Sequence, residues 1–229
     1  MSISSPQQLL NKIPLFNSLS DSDLNSLSES IRLQSLKKGQ TLFRKGDEGS
    51  SLYIIQQGTI KIVLPSRLGD EVIVSIFSEG DFFGEMALFD GEPRSADALA
   101  MEPSKVYMLS RNDFLLFLQS NINAMKSILS QLTNRLRDTD DFLEGACFLS
   151  VSARLAKKLL DLAEAYGQKD GDRVYIDLIL TQKELGDMIG STRESINKEL
   201  KILRDKGLIT MQENKIQITD MVRLKRRAY

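Results

Sequence analysis

The sequence predicts an α+β protein: a front half of short antiparallel strands closed as a sandwich or jelly roll, one long helix, and a back half built as a winged helix-turn-helix. Three observations predict it. Between Leu36 and Leu109 the chain runs in short segments rich in Val, Ile, Phe and Tyr, with glycines at 58, 69, 80 and 91. This is the punctuation of strands joined by tight turns. From Ile122 to Ala146 apolar residues recur by threes and fours, the seam of a helix that packs along another. From Thr181 a helix start, a glycine and a second amphipathic stretch follow in close order, the plan of two helices joined by a sharp turn.

Taken in order, Ser20 or Asp21 caps a first helix whose inner positions are Leu24, Leu27 and Ile31. Strands are expected near 41–44, 52–56, 59–65, 71–77 and 105–109. Alternation at Ile60, Ile62 and Leu64 turns one face of the third inward. Asn112 or Asp113 caps a short helix through Leu118. The seam that follows is Ile122, Met125, Leu129, Leu132, Leu136, Thr139, Leu143 and Ala146. One reading is a helix packed on its own domain. The strict period favours pairing with a second copy, a parallel two-fold homodimer. Thr139 is polar on that seam, which costs stability and calls for a reason such as register or a ligand. The seam ends at Phe148–Ser150, an expected hinge. Val151–Tyr166 is the next helix, 167–172 a polar turn and 174–176 a short strand. The implied domains are 1–121, 122–149 (helix and hinge) and 150–229.

In the back half Thr181 and Glu184 form a capping box. Leu185, Met188 and Ile189 face inward, and Gly190 makes a left-handed turn. A second helix starts near Thr192 with Ile196, Leu200 and Leu203 inward. It leaves Arg193, Glu194, Asn197 and Lys198 exposed, where base edges of DNA are read. Thr181, Ser191, Thr192 and Lys201 suit phosphate contacts, which place a helix without reading sequence. A wing follows at 208–210 and 216–218, with its turn at 213–215. The tail from Arg223 to Arg227 is basic: either a solvated end or an added phosphate clamp.

Composition removes several classes. The 229 residues contain no histidine and one cysteine, Cys147. That excludes an imidazole base, a His-ligated metal or haem, an intrachain disulfide and an all-cysteine cluster. Cys147 reads as a small buried thiol, with redox activity the alternative. A lone thiol and the lack of a signal peptide fit a reducing cytoplasm. No run approaches the ~18 apolar residues of a membrane span. Residues 1–144 carry 14 basic and 19 acidic side chains, whereas 145–229 carry 16 and 12. A mildly acidic front and a basic back suit different partners, the back a polyanion.

One stretch exceeds a strand-and-turn account: 80–96, GDFFGEMALFDGEPRSA. Gly84 lets backbone approach a ligand, Glu85 can accept from sugar hydroxyls, and Arg94 with Ser95 can hold a phosphate. This string strongly resembles the phosphate-binding cassette of cyclic-nucleotide-binding domains, and LFRKGDEGSSLYIIQQGTIKIVL resembles that domain's first strands. The resemblance implies that Gly84, Glu85, Met86 and Ala87 line the sugar and phosphate, with Glu85 on the ribose 2′-hydroxyl. It puts Arg94 and Ser95 on the cyclic phosphate, and Val74 and Ser75 beside the base.

NRLRDTDDFLEGACFLSVSARLA and GSTRESINKELKILRDKGLI extend the likeness to the CRP/FNR family of regulators, over roughly 15–219. It implies that Thr139 meets the adenine amino group and that Arg135 lies near the nucleotide. Asp140 departs from the family's Ser. It either points to solvent or accepts from a base, so cyclic AMP is the first ligand, with cyclic GMP, a cyclic dinucleotide or no ligand open. Arg193, Glu194 and Lys198 imply TGTGA-like half-sites in inverted repeat. Asn197 departs from the Gly of the best-known member. RNA polymerase is the implied further partner, and no cofactor beyond the effector is implied. Two rivals stand beside this reading: a cyclic-nucleotide interaction module that never touches DNA, and an enzyme acting on nucleotides.

Overall fold

The computed structural model describes residues 10, 13, 16, 21–171, 173–212 and 215–228. The expected cap at Ser20 and the wing-turn residues Glu213 and Asn214 lie outside them. The chain forms two compact units, Met1–Arg137 and Asp138–Tyr229.

In the first unit α1 (Asp21–Ser30) buries Leu24 and Leu27 as expected. Eight strands follow: β1 (Arg32–Leu36), β2 (Thr41–Phe43), β3 (Ser51–Gln57), β4 (Ile60–Pro65), β5 (Glu71–Phe77), β6 (Phe82–Phe83), β7 (Asp97–Ala100) and β8 (Ser104–Ser110). They form two four-stranded sheets, β1-β8-β3-β6 and β2-β7-β4-β5, in which each pairing is antiparallel. This is the expected jelly roll. Strands β1, β6 and β7 had no sequence signal of their own, being short or polar.

Strand β3 explains why LYII is apolar without alternation. Tyr53 and Ile55 join Ile60, Phe83, Ala98 and Val106 in one core. Leu52 and Ile54 join a second core with α1, Phe114, Phe117 and Leu118. Both faces of the strand are covered, so both must be apolar. In β4 the expected inward set holds at Ile60 and Ile62 and fails at Leu64. The register shifts between Ile62 and Val63, and this bulge moves the inward side by one residue. Val63 is therefore buried and Leu64 exposed. The glycines at 58, 69, 80 and 91 all have positive φ. At Gly58 a Cβ would also meet Ser104 side-chain atoms at 2.3 and 2.7 Å, so the turn excludes other residues twice over.

Between β6 and β7 lies α2 (Met86–Asp90), and after β8 come α3 (Arg111–Ser120) and α4 (Ile122–Phe148). The cap of α3 is Ser110, whose hydroxyl accepts from the Asp113 N–H, rather than Asn112 or Asp113. The helix α4 is 27 residues long. Its early residues Ala124 and Ile128 are buried with α1 and α3, and Met125 and Leu132 pack beside them. The rest of the seam is open: Ile122, Leu129, Leu136 and Leu143 are 56–67% exposed, and Thr139 and Ala146 are exposed as well.

The second unit contains the end of α4, then α5 (Val151–Tyr166), β9 (Gly167–Asp170), β10 (Arg173–Ile176), α6 (Gln182–Ile189), α7 (Arg193–Asp205), β11 (Ile209–Gln212), β12 (Lys215–Ile218) and α8 (Met221–Ala228). Helix α4 stops at Phe148, and the Ser150 hydroxyl caps α5 by accepting from the Ala153 N–H, so the expected hinge is a capped break. Two expectations are corrected, and a third element is added. Much of the polar turn is strand β9, paired antiparallel with β10 because backbone pairing needs no apolar side chains. Cys147 is exposed, not buried. The basic tail is helix α8, held on α5 with Leu224 and Ala228 buried.

Candidate functional site

In the first unit the cassette residues converge on a turn. Gly84 has φ +84, and a Cβ there would lie 2.7 Å from Arg94 Nη1. Gly49 is packed so that a Cβ would meet that of Ala87 at 2.1 Å. Two glycines thus let two chain segments close around one arginine. Arg94 is buried, donating from Nη1 to Gly84 O at 2.7 Å and from Nη2 to Ser51 O at 2.7 Å. Its guanidinium stacks over Phe43 at 4.4 Å and Tyr53 at 5.4 Å. Burial lowers its pKa, opposed by Tyr53, Glu85 and Asp47; an arginine stays charged regardless. Its Nε is out of solvent with no hydrogen-bond partner among the described residues.

Glu85 is 3% exposed. Its Oε1 accepts from Arg135 Nη1 at 2.6 Å. Arg135 Nη2 donates to Phe82 O at 2.5 Å, and its guanidinium lies 4.6 Å from the Phe77 ring centre and 5.2 Å from that of Phe82. Glu85 Oε2 is buried with no donor among the described residues. The structure therefore brings Gly84, Glu85, Ala87, Arg94 and Arg135 together. It leaves a buried acceptor and a buried donor unsatisfied among them, a combination that native interiors rarely leave open without a ligand or water. A ribose phosphate offers both complements: hydroxyl donors and anionic acceptors.

The remaining expected residues are nearer the surface. Met86 and Val74 are exposed, Ser75 is half-buried on β5, and Ser95 Oγ lies 3.7 Å from Met86 Sδ. Thr139 and Asp140 are exposed on the part of α4 that belongs to the second unit. Sequence reasoning missed the aromatic platforms Phe43, Tyr53 and Phe77 and the Ser51 carbonyl. Their only trace was an aromatic residue on each of three separate strands, which becomes a signal once the strands are registered.

In the second unit the capping box forms as expected. Thr181 Oγ1 accepts from the Glu184 N–H at 3.2 Å, and Glu184 Oε2 accepts from the Thr181 N–H at 2.9 Å. Gly190 is left-handed at φ 61. Gly186 is the tighter constraint, because a Cβ there would lie 2.6 Å from Ser191 O. Thr192 caps α7, its hydroxyl accepting from the Ser195 N–H at 3.2 Å. Ile196, Leu200 and Leu203 are buried, and this fixes the helix phase. Arg193, Glu194, Asn197, Lys198 and Lys201 then share the solvent face, with Ser191 half-buried at its start.

Residues 33–121 match the cyclic nucleotide-binding domain family and residues 153–227 the Crp-like helix-turn-helix domain family. A CRP-like cAMP-activated global transcriptional regulator of Mycobacterium tuberculosis is 30% identical over 221 residues, covering 96% of this chain and 99% of that protein. The chain belongs to the CRP/FNR family of transcription regulators. A second family member, the cAMP-activated global transcriptional regulator CRP of Pasteurella multocida, is 34% identical over 174 residues, 74% of this chain and 81% of that one. The crystal structure of a CRP-family transcriptional regulator from Thermus thermophilus superposes with TM-score 0.71 at 26% identity, covering 85% of this chain and 96% of its own. These relatives are named as transcription regulators. Glu85 and Arg94 lie within the stretch that matches the cyclic nucleotide-binding domain family, and α6 and α7 within the stretch that matches the Crp-like helix-turn-helix domain family. Among the described residues no helix is long and apolar enough to cross a membrane, and no group of acidic or cysteine side chains is placed to hold a metal.

Proposed function

We propose that the protein is a cytoplasmic homodimer, gated by cyclic AMP, that reads TGTGA-like inverted repeats and acts on transcription through RNA polymerase. Residues 1–121 are the sensor, 122–149 the dimerisation helix and hinge, and 150–229 the DNA-binding domain. The observation that carries the effector reading is the pair of buried, unsatisfied atoms, Glu85 Oε2 and Arg94 Nε. Glu85 takes the ribose 2′-hydroxyl, Arg94 and Ser95 the phosphate, Thr139 and Asp140 the base amino group. Binding requires Arg135 to share Glu85 or to leave it.

The open seam residues Ile122, Leu129, Leu136 and Leu143 support the homodimer: seven residues apart and exposed, they need a second apolar face. The solvent face of α7 supports DNA reading, with Arg193 on guanine, Glu194 on cytosine, and Asn197 and Lys198 beside them. Thr181, Ser191, Thr192 and Lys201 hold phosphates. The effector favours the arrangement with the two reading helices about 34 Å apart, and acts only to the extent that it binds that arrangement better.

The test is mass spectrometry of small molecules that co-purify with the native protein, followed by calorimetric titration of cyclic AMP, cyclic GMP and cyclic dinucleotides. Cyclic AMP is expected to bind most tightly, and Glu85→Gln to weaken it by about 1.5–3 kcal/mol through loss of a charge-assisted hydrogen bond. Equal affinity of the variant, or preference for another nucleotide, overturns the assignment of the effector.

A further inference from the structure

Glu85 and Arg135 meet although they belong to different elements: Glu85 immediately precedes α2, and Arg135 sits on α4. A long side chain that reaches between elements loses rotamer freedom when it is held in one geometry. Arg135 also keeps 23% of its side-chain surface in solvent, where charge attraction alone fixes a pair poorly. What fixes the guanidinium is the surface beneath it. Phe77, the last residue of β5, has its ring centre 4.6 Å away and Phe82 5.2 Å away. A planar guanidinium gains stacking and cation–π attraction from such faces. Phe77 is in turn set by the core. Its ring lies 5° from parallel with that of Phe83 at 5.8 Å, and Phe83 is buried and stacked on Tyr53 at 5.5 Å. The platform is therefore placed by the sheets and not by the arginine that rests on it.

The pairing is one-sided. Arginine and carboxylate often join by two parallel hydrogen bonds. Here Arg135 Nη1 takes Glu85 Oε1 at 2.6 Å, while Nη2 turns to the Phe82 carbonyl. Glu85 Oε2 is left buried with no donor among the described residues. We propose that Phe77 is a positioning residue for selection of the ribose. By holding the Arg135 guanidinium flat, it keeps Oε1 anchored and Oε2 presented to the sugar 2′-hydroxyl. This inference rests on the reading of Glu85 as acceptor of that hydroxyl, and it adds that Arg135 shares Glu85 with the nucleotide and does not leave. Phe77 acts through Arg135.

The test is calorimetric titration of the full chain with cyclic AMP and with its 2′-deoxy form, which lacks only the hydroxyl concerned. Wild type is expected to prefer the ribose form by about tenfold or more. Phe77→Leu keeps apolar bulk and removes the ring face. It is expected to cut that preference to about twofold by weakening cyclic AMP, with affinity for the deoxy form as in wild type. Phe77→Tyr keeps the face and restores the preference. Arg135→Gln, which leaves the platform whole, loses the preference as Phe77→Leu does, and it carries the test if the leucine variant does not fold. A ring that only packs the core would move both nucleotides together. Equal weakening of the two by Phe77→Leu, or a preference retained in either that variant or Arg135→Gln, therefore overturns the inference. So does tighter binding of cyclic AMP, which would make Arg135 a plug that the nucleotide displaces. If wild type binds the two nucleotides equally, or binds neither, the reading of Glu85 itself fails and takes this inference with it.

Discussion

The two units hold their functional side chains in opposite ways. In the first, Glu85 and Arg94 are buried and already bonded to the protein, to Arg135 in one case and to the carbonyls of Gly84 and Ser51 in the other. In the second, Arg193, Glu194, Asn197, Lys198 and Lys201 are exposed, and only the phase of α7 aims them. The difference follows from the partners. A small anion is gripped tightly only where water is excluded, and there every polar group needs a partner whether or not the ligand is present. A DNA duplex brings a surface of its own, so its contacts stay in water until it arrives. Binding residues of the first kind therefore also hold the fold together, and those of the second kind do not.

That contrast is open to attack by substitution. The largest effect is expected at Arg94→Ala, which strands two carbonyls, empties a cage between Phe43 and Tyr53 and, on the proposed reading, removes the phosphate's charged partner. Unfolding free energy should fall by about 3–4 kcal/mol, alongside a loss of nucleotide affinity. A denaturant melt in the range of wild type would show that this guanidinium serves the ligand alone. Next comes Gly186→Ala, a residue of the reading unit that touches no partner. Its Cβ would meet Ser191 O at 2.6 Å, so a loss of about 2 kcal/mol in stability is expected, with the bases preferred on DNA unchanged. The smallest effect on the fold is at Arg193→Ala. Stability should stay within about 0.5 kcal/mol, while discrimination at one base pair relaxes by about 1–3 kcal/mol. A uniform loss across all duplexes would make Arg193 a phosphate contact instead.

How much of this was readable beforehand depended on whether the signal was local. The capping box at Thr181 and Glu184, the left-handed turn at Gly190 and the phase of α7 were all legible, because each is decided within a few residues. So was the cassette from Gly84 to Ser95, since its string is long and specific. Strand β9 was not: GQKD has no alternation, and only its pairing with β10 makes it a strand. The inward side of β4 was misread after Ile62 because a bulge leaves no mark in composition. The tail was read as a charge run, yet the spacing of Leu224 and Ala228 was a helical signal that the cations masked.

By itself, then, the chain's residue order determined the capping box at Thr181 and Glu184, the turn glycines and the absence of histidine chemistry. Those are short-range properties of backbone sterics and side-chain chemistry. Only the tertiary structure decided that Arg135, fifty residues on from Glu85, is its partner, that Arg94 is caged by Phe43, Tyr53, Gly84 and Ser51, and that Met125 and Leu132 of the α4 seam are used by its own domain. Those contacts join residues far apart in sequence, and what holds them is burial: which groups lose water together is settled only when the sheets close.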